Sequence, residues 1–210
     1  MNLRPAWALL LACLLGACSP PSSRSNAVSQ AQPNHSPEAL TLGRLTPRSG
    51  RPIELTSDAF PPEGVIGEAY SGSGANTSPP LAWTAVPGAG SYAIVVEDPD
   101  APREHPFVHW LIWNLPGNMT ALPAGIERAV RPSGADGPVQ GRNDMNQVGY
   151  FGPQPPPGHG LHRYHFQIFA LDGPLTVSPD ADLRTLTSAM QGRVVAQGEL
   201  MATFETPAVH

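Results

Sequence analysis

The sequence predicts a mainly β fold in a single domain, and three observations carry that expectation. Runs rich in Val, Ile, Tyr, Phe and Trp begin near Tyr92, Phe107, His162 and Val194, and each has the length and composition of a strand. The 26 prolines and 21 glycines fall between apolar runs without a collagen-like period, so they read as turn residues. Only Asp182 to Gln191 has convincing helix character, with acidic residues at its start and Gly192 after its end.

Taken in order, Met1 to Ala17 carries one positive charge, Arg4, then an apolar stretch from Ala6 to Leu15 and the small residues Gly16 and Ala17. The segment is too short and wrongly flanked to span a membrane, and residues 1–17 read as a signal peptide. Leu15-Gly16-Ala17-Cys18 resembles the bacterial lipobox, in which the cysteine becomes the mature N-terminus and carries acyl chains. Cys18 is therefore the expected lipidation site, and the expected location is the bacterial cell envelope, lipid-anchored on the outer membrane and facing the periplasm. Cys13 leaves with the signal, so the mature chain keeps no pair for an internal disulfide. Residues 18–50 shift to Pro, Ser, Asn, Gln and Ala and read as a lipidated cysteine followed by a disordered tether. Leu40, Leu42 and Leu45 are its only apolar run, and nothing in their pattern demands that they dock.

The folded domain is expected over residues 51–206, with 207–210 as a tail. Ile53 to Thr56 and Leu81 to Trp83 are short strands, separated by the turn Phe60-Pro61-Pro62-Glu63-Gly64. From Tyr92 to Asp98, alternation puts Tyr92, Ile94, Val96 and Asp98 on one face, so Asp98 is the polar end of an apolar row. Asp98-Pro99-Asp100-Ala101-Pro102 follows, where two prolines end the strand and stiffen a turn that carries two carboxylates. Across Phe107 to Leu115, alternation groups His109 with Leu111 and Trp113, and Trp110 with Ile112. Residues 122–146 read as a loop whose length suggests a function. Gly149 to Pro153 and Pro155 to Gly158 make a constrained loop whose glycines let backbone amides converge on an anion. His162 to Leu171 is a strand that places His162, Tyr164, Phe166 and Ile168 together, and Val194 to Phe204 is a last strand weakened by Gly198.

Charge and composition narrow the function. A formal net charge of -5 with only 14% charged residues leaves no basic face for nucleic acid. The chain has no lysine, which removes Schiff-base chemistry and the phosphate-binding lysine of a P-loop. The chemistry-bearing residues gather at strand ends: Asp98, Asp100, His109, His162 and the Gly/Pro loop. Two histidines and a carboxylate can hold zinc, but the short-range His-x-x-x-His spacing is missing. A serine with His109 or His162 and Asp98 makes a hydrolase, but Gly72-Ser73-Gly74 only echoes a nucleophile elbow. Imidazoles with backbone donors can instead hold an anionic group. No metal or cofactor is expected, and an envelope-protein inhibitor acting through an exposed loop, for instance on a protease, is a further class.

The Asp98 to Pro102 turn, the strand with His109, the Gly152 to Gly158 loop and Gly160-Leu161-His162-Arg163-Tyr164 together resemble the phosphatidylethanolamine-binding proteins. Asn76-Thr77-Ser78-Pro79-Pro80-Leu81-Ala82-Trp83 and Ala170-Leu171-Asp172 are similar to motifs of the bacterial, Raf-kinase-inhibitor-like branch. The resemblance spans about Ile53 to Phe204. It implies a Greek-key β-sandwich with a few short helices and a small pocket for phosphate or a phospholipid headgroup, without enzymatic activity. By position, it implies that Asp98, Asp100 and Pro102 form one wall and His109 another, with Gly152, Pro153, His162 and Tyr164 on the anion-facing side.

Overall fold

Two antiparallel sheets organise the residues that this computed structural model describes, 39–208. The larger has the order β6-β4-β3-β7-β8, built from β3 (Ser91–Asp98), β4 (Phe107–Pro116), β6 (Val139–Gln140), β7 (His162–Leu171) and β8 (Val194–Phe204). The smaller has the order β1-β2-β5, from β1 (Leu55–Thr56), β2 (Leu81–Trp83) and β5 (Ala121–Leu122). Helix α1 (Thr41–Arg44) is a single turn, and α2 (Leu183–Met190) is capped by the Asp182 carboxylate, which accepts the Thr185 N–H at 2.8 Å. The signal segment, Cys18 and the tether up to residue 38 lie outside the described residues.

The large sheet is covered on both faces. On one side Tyr92, Ile94, Val96, Trp110, Ile112, Phe166 and Ile168 pack against Leu55, Leu81, Trp83 and Leu122 of the small sheet. On the other, Ala93, Val95, Leu111, Trp113 and Phe169 pack against Leu186 and Met190 of α2 and against Leu45. β3 is central and buried at every position, which is why its sequence is a continuous apolar run rather than a polar alternation. The expected mainly β sandwich is present, with a third, thinner layer behind it.

Three local features depart from the sequence reading. The β3–β4 register shifts between Val96↔Trp110 and Glu97↔Val108, which leaves His109 as an extra residue, a β-bulge. The bulge breaks the alternation, so His109 turns away from Leu111 and Trp113 toward Tyr164, on the small-sheet side. Second, the far end of the predicted tether is docked. Leu40 and Leu45 are buried, the Thr41 N–H donates to Glu97 Oε2 at 2.8 Å, and the Arg48 and Ser49 N–H groups bond the Val194 and Val195 carbonyls. The apolar spacing was there, but its partners on β3, β7 and β8 are distant in sequence. Third, Gly198 does not weaken β8, which runs unbroken to Phe204. A Cβ there would stand 1.9 Å from the Ile53 carbonyl oxygen, so the glycine admits a crossing backbone.

The long 122–146 segment is also tied down. Buried Gln140 accepts from the Trp110 indole at 2.7 Å and donates to the Glu127 and Ala129 carbonyls, which satisfies its whole amide. Asn143 accepts the Met145 and Gln147 N–H groups and donates to the Gly149 carbonyl, shaping the turn that carries Met145 to the cavity described next.

Candidate functional site

A cavity of about 210 Å³ opens where the C-terminal end of β3 and the N-terminal ends of β4 and β7 meet. Asp98, Pro102, His109, His162 and Tyr164 all line it, so five of the eight residues singled out from sequence converge on one wall system. Ala101, Phe107, Met145, Phe151, Gln154, Pro155 and Pro156 complete the lining. These seven are mostly apolar; Ala101 lies in the acidic turn and Phe151, Gln154, Pro155 and Pro156 in the Gly/Pro loop that the sequence marked, whereas Phe107 and Met145 were not singled out.

Asp98 works through its neighbours. Its Oδ1 accepts the Asp100 N–H at 2.8 Å, closing the turn, and its Oδ2 accepts from His162 Nδ1 at 2.8 Å. Both side chains are almost fully buried. A carboxylate can only accept while ionised, so the proton sits on His162 Nδ1 and the other ring nitrogen, Nε2, is left for further chemistry. That nitrogen lies 2.7 Å from His159 Nδ1, which extends the chain to Asp98–His162–His159. His159 went unremarked in the sequence, although His159-Gly160-Leu161-His162 is a His-x-x-His pattern bent by glycine.

His109 is held differently. Its Nδ1–H donates to the Phe151 carbonyl at 2.6 Å, while its own carbonyl accepts the Phe151 N–H at 2.9 Å. The ring stacks on Phe151 with centroids 5.9 Å apart and meets the Tyr164 ring edge-on at 5.1 Å. Burial pushes its pKa below the ordinary histidine range, and the Asp98 charge and the Phe151 carbonyl only partly offset that. At neutral pH His109 is thus an uncharged imidazole with a lone pair on Nε2. The Tyr164 hydroxyl is buried with no hydrogen-bond partner among the described residues, and burial raises its pKa.

Three predicted residues stand elsewhere. Asp100 is engaged by Arg163, accepting from its N–H, Nε and guanidinium nitrogens at 2.9, 2.8 and 2.6 Å. Burial alone would raise its pKa, yet the Arg163 bonds outweigh burial and lower it. Asp100 therefore clamps the turn to the start of β7 and does not line the cavity. Gly152 donates its N–H to the Asn76 side chain at 2.8 Å, and Pro153 accepts the Gly72 N–H at 2.8 Å. Both fasten the Gly/Pro loop to the 70–76 segment, so their amide and carbonyl face protein.

A wider, open cleft of about 590 Å³ lies on the α2 side of the large sheet, with Glu97 in its wall. Glu97 Oε2 accepts from the Thr41 N–H and from Gln167 Nε2, and burial raises its pKa despite those bonds. Among the described residues no group of three or more His, Cys, Asp and Glu side chains is arranged to hold a metal ion.

Comparison with known proteins places these features in a family. The model of the phosphatidylethanolamine-binding proteins matches residues 56–205. A UPF0098 protein of Methanothermobacter thermautotrophicus is 40% identical over 153 residues, covering 72% of this chain and 98% of its own. LppC of Mycobacterium tuberculosis, which is named as a lipoprotein, is 33% identical over 199 residues, 94% of this chain and 92% of its own. Among solved structures, Escherichia coli YbcL, described as a new member of the mammalian family, superposes with a TM-score of 0.69 at 30% identity, covering 74% of this chain and 99% of that one. The Chlamydia trachomatis homolog gives 0.65 at 35% identity, covering 73% and 97%. The chain belongs to the phosphatidylethanolamine-binding protein family.

Proposed function

We propose that this protein is a lipid-anchored, non-enzymatic binding protein whose cavity takes a small anionic group, a phosphate or a phospholipid headgroup. The observation that supports this most is the meeting of a carboxylate-backed histidine, a neutral buried histidine and an unpartnered tyrosine hydroxyl in one cavity. A protonated His162 offers a charge-assisted donor, Tyr164 a neutral donor, and His109 Nε2 an acceptor for a P–OH or an ammonium N–H. The volume equals roughly seven waters at about 30 Å³ each, which suits a headgroup and leaves acyl chains outside. Of the four exposed lining residues, Pro102, Met145 and Pro156 are apolar and Gln154 is polar, in keeping with a ligand whose remainder is largely greasy.

A hydrolase using His109, His162 and Asp98 has less support. Among the described residues neither ring is hydrogen-bonded to a hydroxyl or thiol that would serve as nucleophile, since their partners are Phe151, Asp98 and His159. Titration of the full chain in detergent with phosphate and phosphoethanolamine tests the binding reading. Binding that His162→Ala weakens at least tenfold is the expected result, and no binding of either compound would sink it. The anchor rests on the Cys18 motif and on the lipoprotein relative, and Cys18→Ser is expected to release the protein from the membrane fraction. Unchanged sedimentation with membranes would remove the anchor from the proposal.

A further inference from the structure

The geometry points to His159 as a gate on the anion position: it occupies the one ring nitrogen that His162 has to offer, and a ligand anion must displace it. This inference rests on the anionic-ligand reading of the cavity and adds its regulation. Asp98 takes the His162 Nδ1–H at 2.8 Å, and His159 Nδ1 stands 2.7 Å from His162 Nε2. In the uncharged pair, His159 Nδ1–H donates to the His162 Nε2 lone pair, and that lone pair repels an anion. One added proton leaves the pair closed, because a single hydrogen still lies between the two nitrogens. A second puts hydrogens on both facing nitrogens, and the rings must part. His162 Nε2–H then points at the vacated position, backed by the Asp98 carboxylate, and donates to the anion. Anion capture is therefore coupled to proton uptake by two imidazoles rather than one.

The neighbours allow such a motion. His159 is half-exposed on the 153–160 loop, between Gly158 and Gly160, both of which hold positive φ, whereas His162 is fixed in β7. The charged and titratable groups facing the pair are few. Asp98 and Asp100 come from the turn after β3, His109 from β4, Arg163 and Tyr164 from β7, and Glu205 follows Phe204, the β8 residue paired with His162. Asp100 and Arg163 neutralise each other at 2.6 Å, and burial lowers the His109 pKa, so it takes up a proton less readily than an ordinary histidine. Asp98 is thus the charged group in direct contact with the pair.

The test compares phosphate binding by the full chain, His159→Ala and His159→Asn between pH 5 and 8, so that the titration of phosphate itself cancels in the ratio. At pH 7.5 the alanine variant is expected to bind about three- to tenfold tighter, the worth of one hydrogen bond no longer displaced. The ratio should approach one near pH 5. Asparagine can donate to His162 Nε2 but cannot titrate, so His159→Asn should bind more weakly than the unaltered chain at pH 5. In the ligand-free protein, the ¹⁵N resonance of His162 Nε2 should titrate differently in His159→Ala. Equal phosphate binding by all three chains across the range overturns the gate and leaves the binding reading standing. A changed His162 titration with no phosphate bound by any chain overturns the binding reading and the gate with it.

Discussion

Replacing Gly152 by alanine separates two roles that one residue can have in a phosphate-binding loop. If its amide held the anion, Gly152→Ala would lower affinity; if it is there for packing, the substitution should lower stability instead. An ideal Cβ at Gly152 would lie 2.1 Å from the Tyr70 carbonyl oxygen, 2.7 Å from the Ser71 carbonyl carbon and 2.8 Å from the Gly72 nitrogen. All three are backbone atoms that cannot swing aside, so the 70–72 and 152–153 segments must part by ~1 Å, and the Gly72 N–H to Pro153 hydrogen bond stretches or breaks. Overpacking costs about 1–3 kcal/mol and the lost bond about 1 kcal/mol, together about 2–4 kcal/mol. In a domain of this size each kcal/mol moves the midpoint by roughly 2–4 °C, so Tm should fall by roughly 4–16 °C. Circular dichroism melts give the stability and calorimetry of the folded variant gives the phosphate affinity. A Tm within about 2 °C of the unaltered protein, together with lost phosphate binding, would refute the packing role and return Gly152 to the ligand.

Two further predictions concern the adjacent carboxylates Glu97 and Asp98. In Asp98→Asn the amide oxygen can keep the Asp100 N–H, but its NH₂ group faces His162 Nδ1 and removes the compensating charge; phosphate affinity at pH 5.5 should fall about ten- to a hundredfold, the worth of a charge-assisted bond, and an unchanged calorimetric titration would count against the pair. Glu97 has a folded pKa raised above its ordinary value of 4.5, so its contribution to stability is fully present below that value and is lost as pH rises through the folded pKa. In Glu97→Gln one amide oxygen can accept from both Thr41 and Gln167, so urea midpoints should show the variant gaining on the unaltered protein from pH 4.5 to pH 8; a variant less stable at pH 8 would contradict this.

Much of the fold was legible because the strands announce themselves by composition. β2, β7 and β8 occupy the residues read from sequence, and β3 and β4 differ by a residue at one end. The site was legible where period two held, as in β3 and β7, whose alternation brings Asp98 and His162 to the same face. It failed at His109, because one extra residue in β4 breaks the alternation just before Trp110, while Leu111 with Trp113 and Trp110 with Ile112 keep the faces read from sequence; only pairing with β3 reveals the bulge. Asp100 and Gly152 are placed by contacts that no local pattern shows. A carboxylate and a glycine beside a cavity look like ligand groups in a sequence, but Arg163 engages the Asp100 carboxylate and the Tyr70 carbonyl fills the space beside the Gly152 Cα. Those partners lie 63 and 82 positions away, beyond the reach of any local pattern.

The alternation of β3 also explains why neighbouring carboxylates have opposite fates. Glu97 and Asp98 sit at the same strand end but point to opposite faces of the large sheet, and what covers each face decides its chemistry. On the α2 face the docked Leu40–Leu45 segment gives Glu97 a backbone N–H and excludes water, which favours a neutral acid. On the small-sheet face Asp98 is buried as well, but by its own turn and by a side chain. Its partner is an imidazole, which can take up the charge the carboxylate supports and hand a donor to whatever enters the cavity. Both Asp98 oxygens are thereby satisfied, Oδ1 by the Asp100 N–H and Oδ2 by His162, without a docked segment that would close the cavity. The Asp98–Pro102 turn fixes that arrangement, because its prolines restrict the backbone and Arg163 clamps Asp100 to the start of β7.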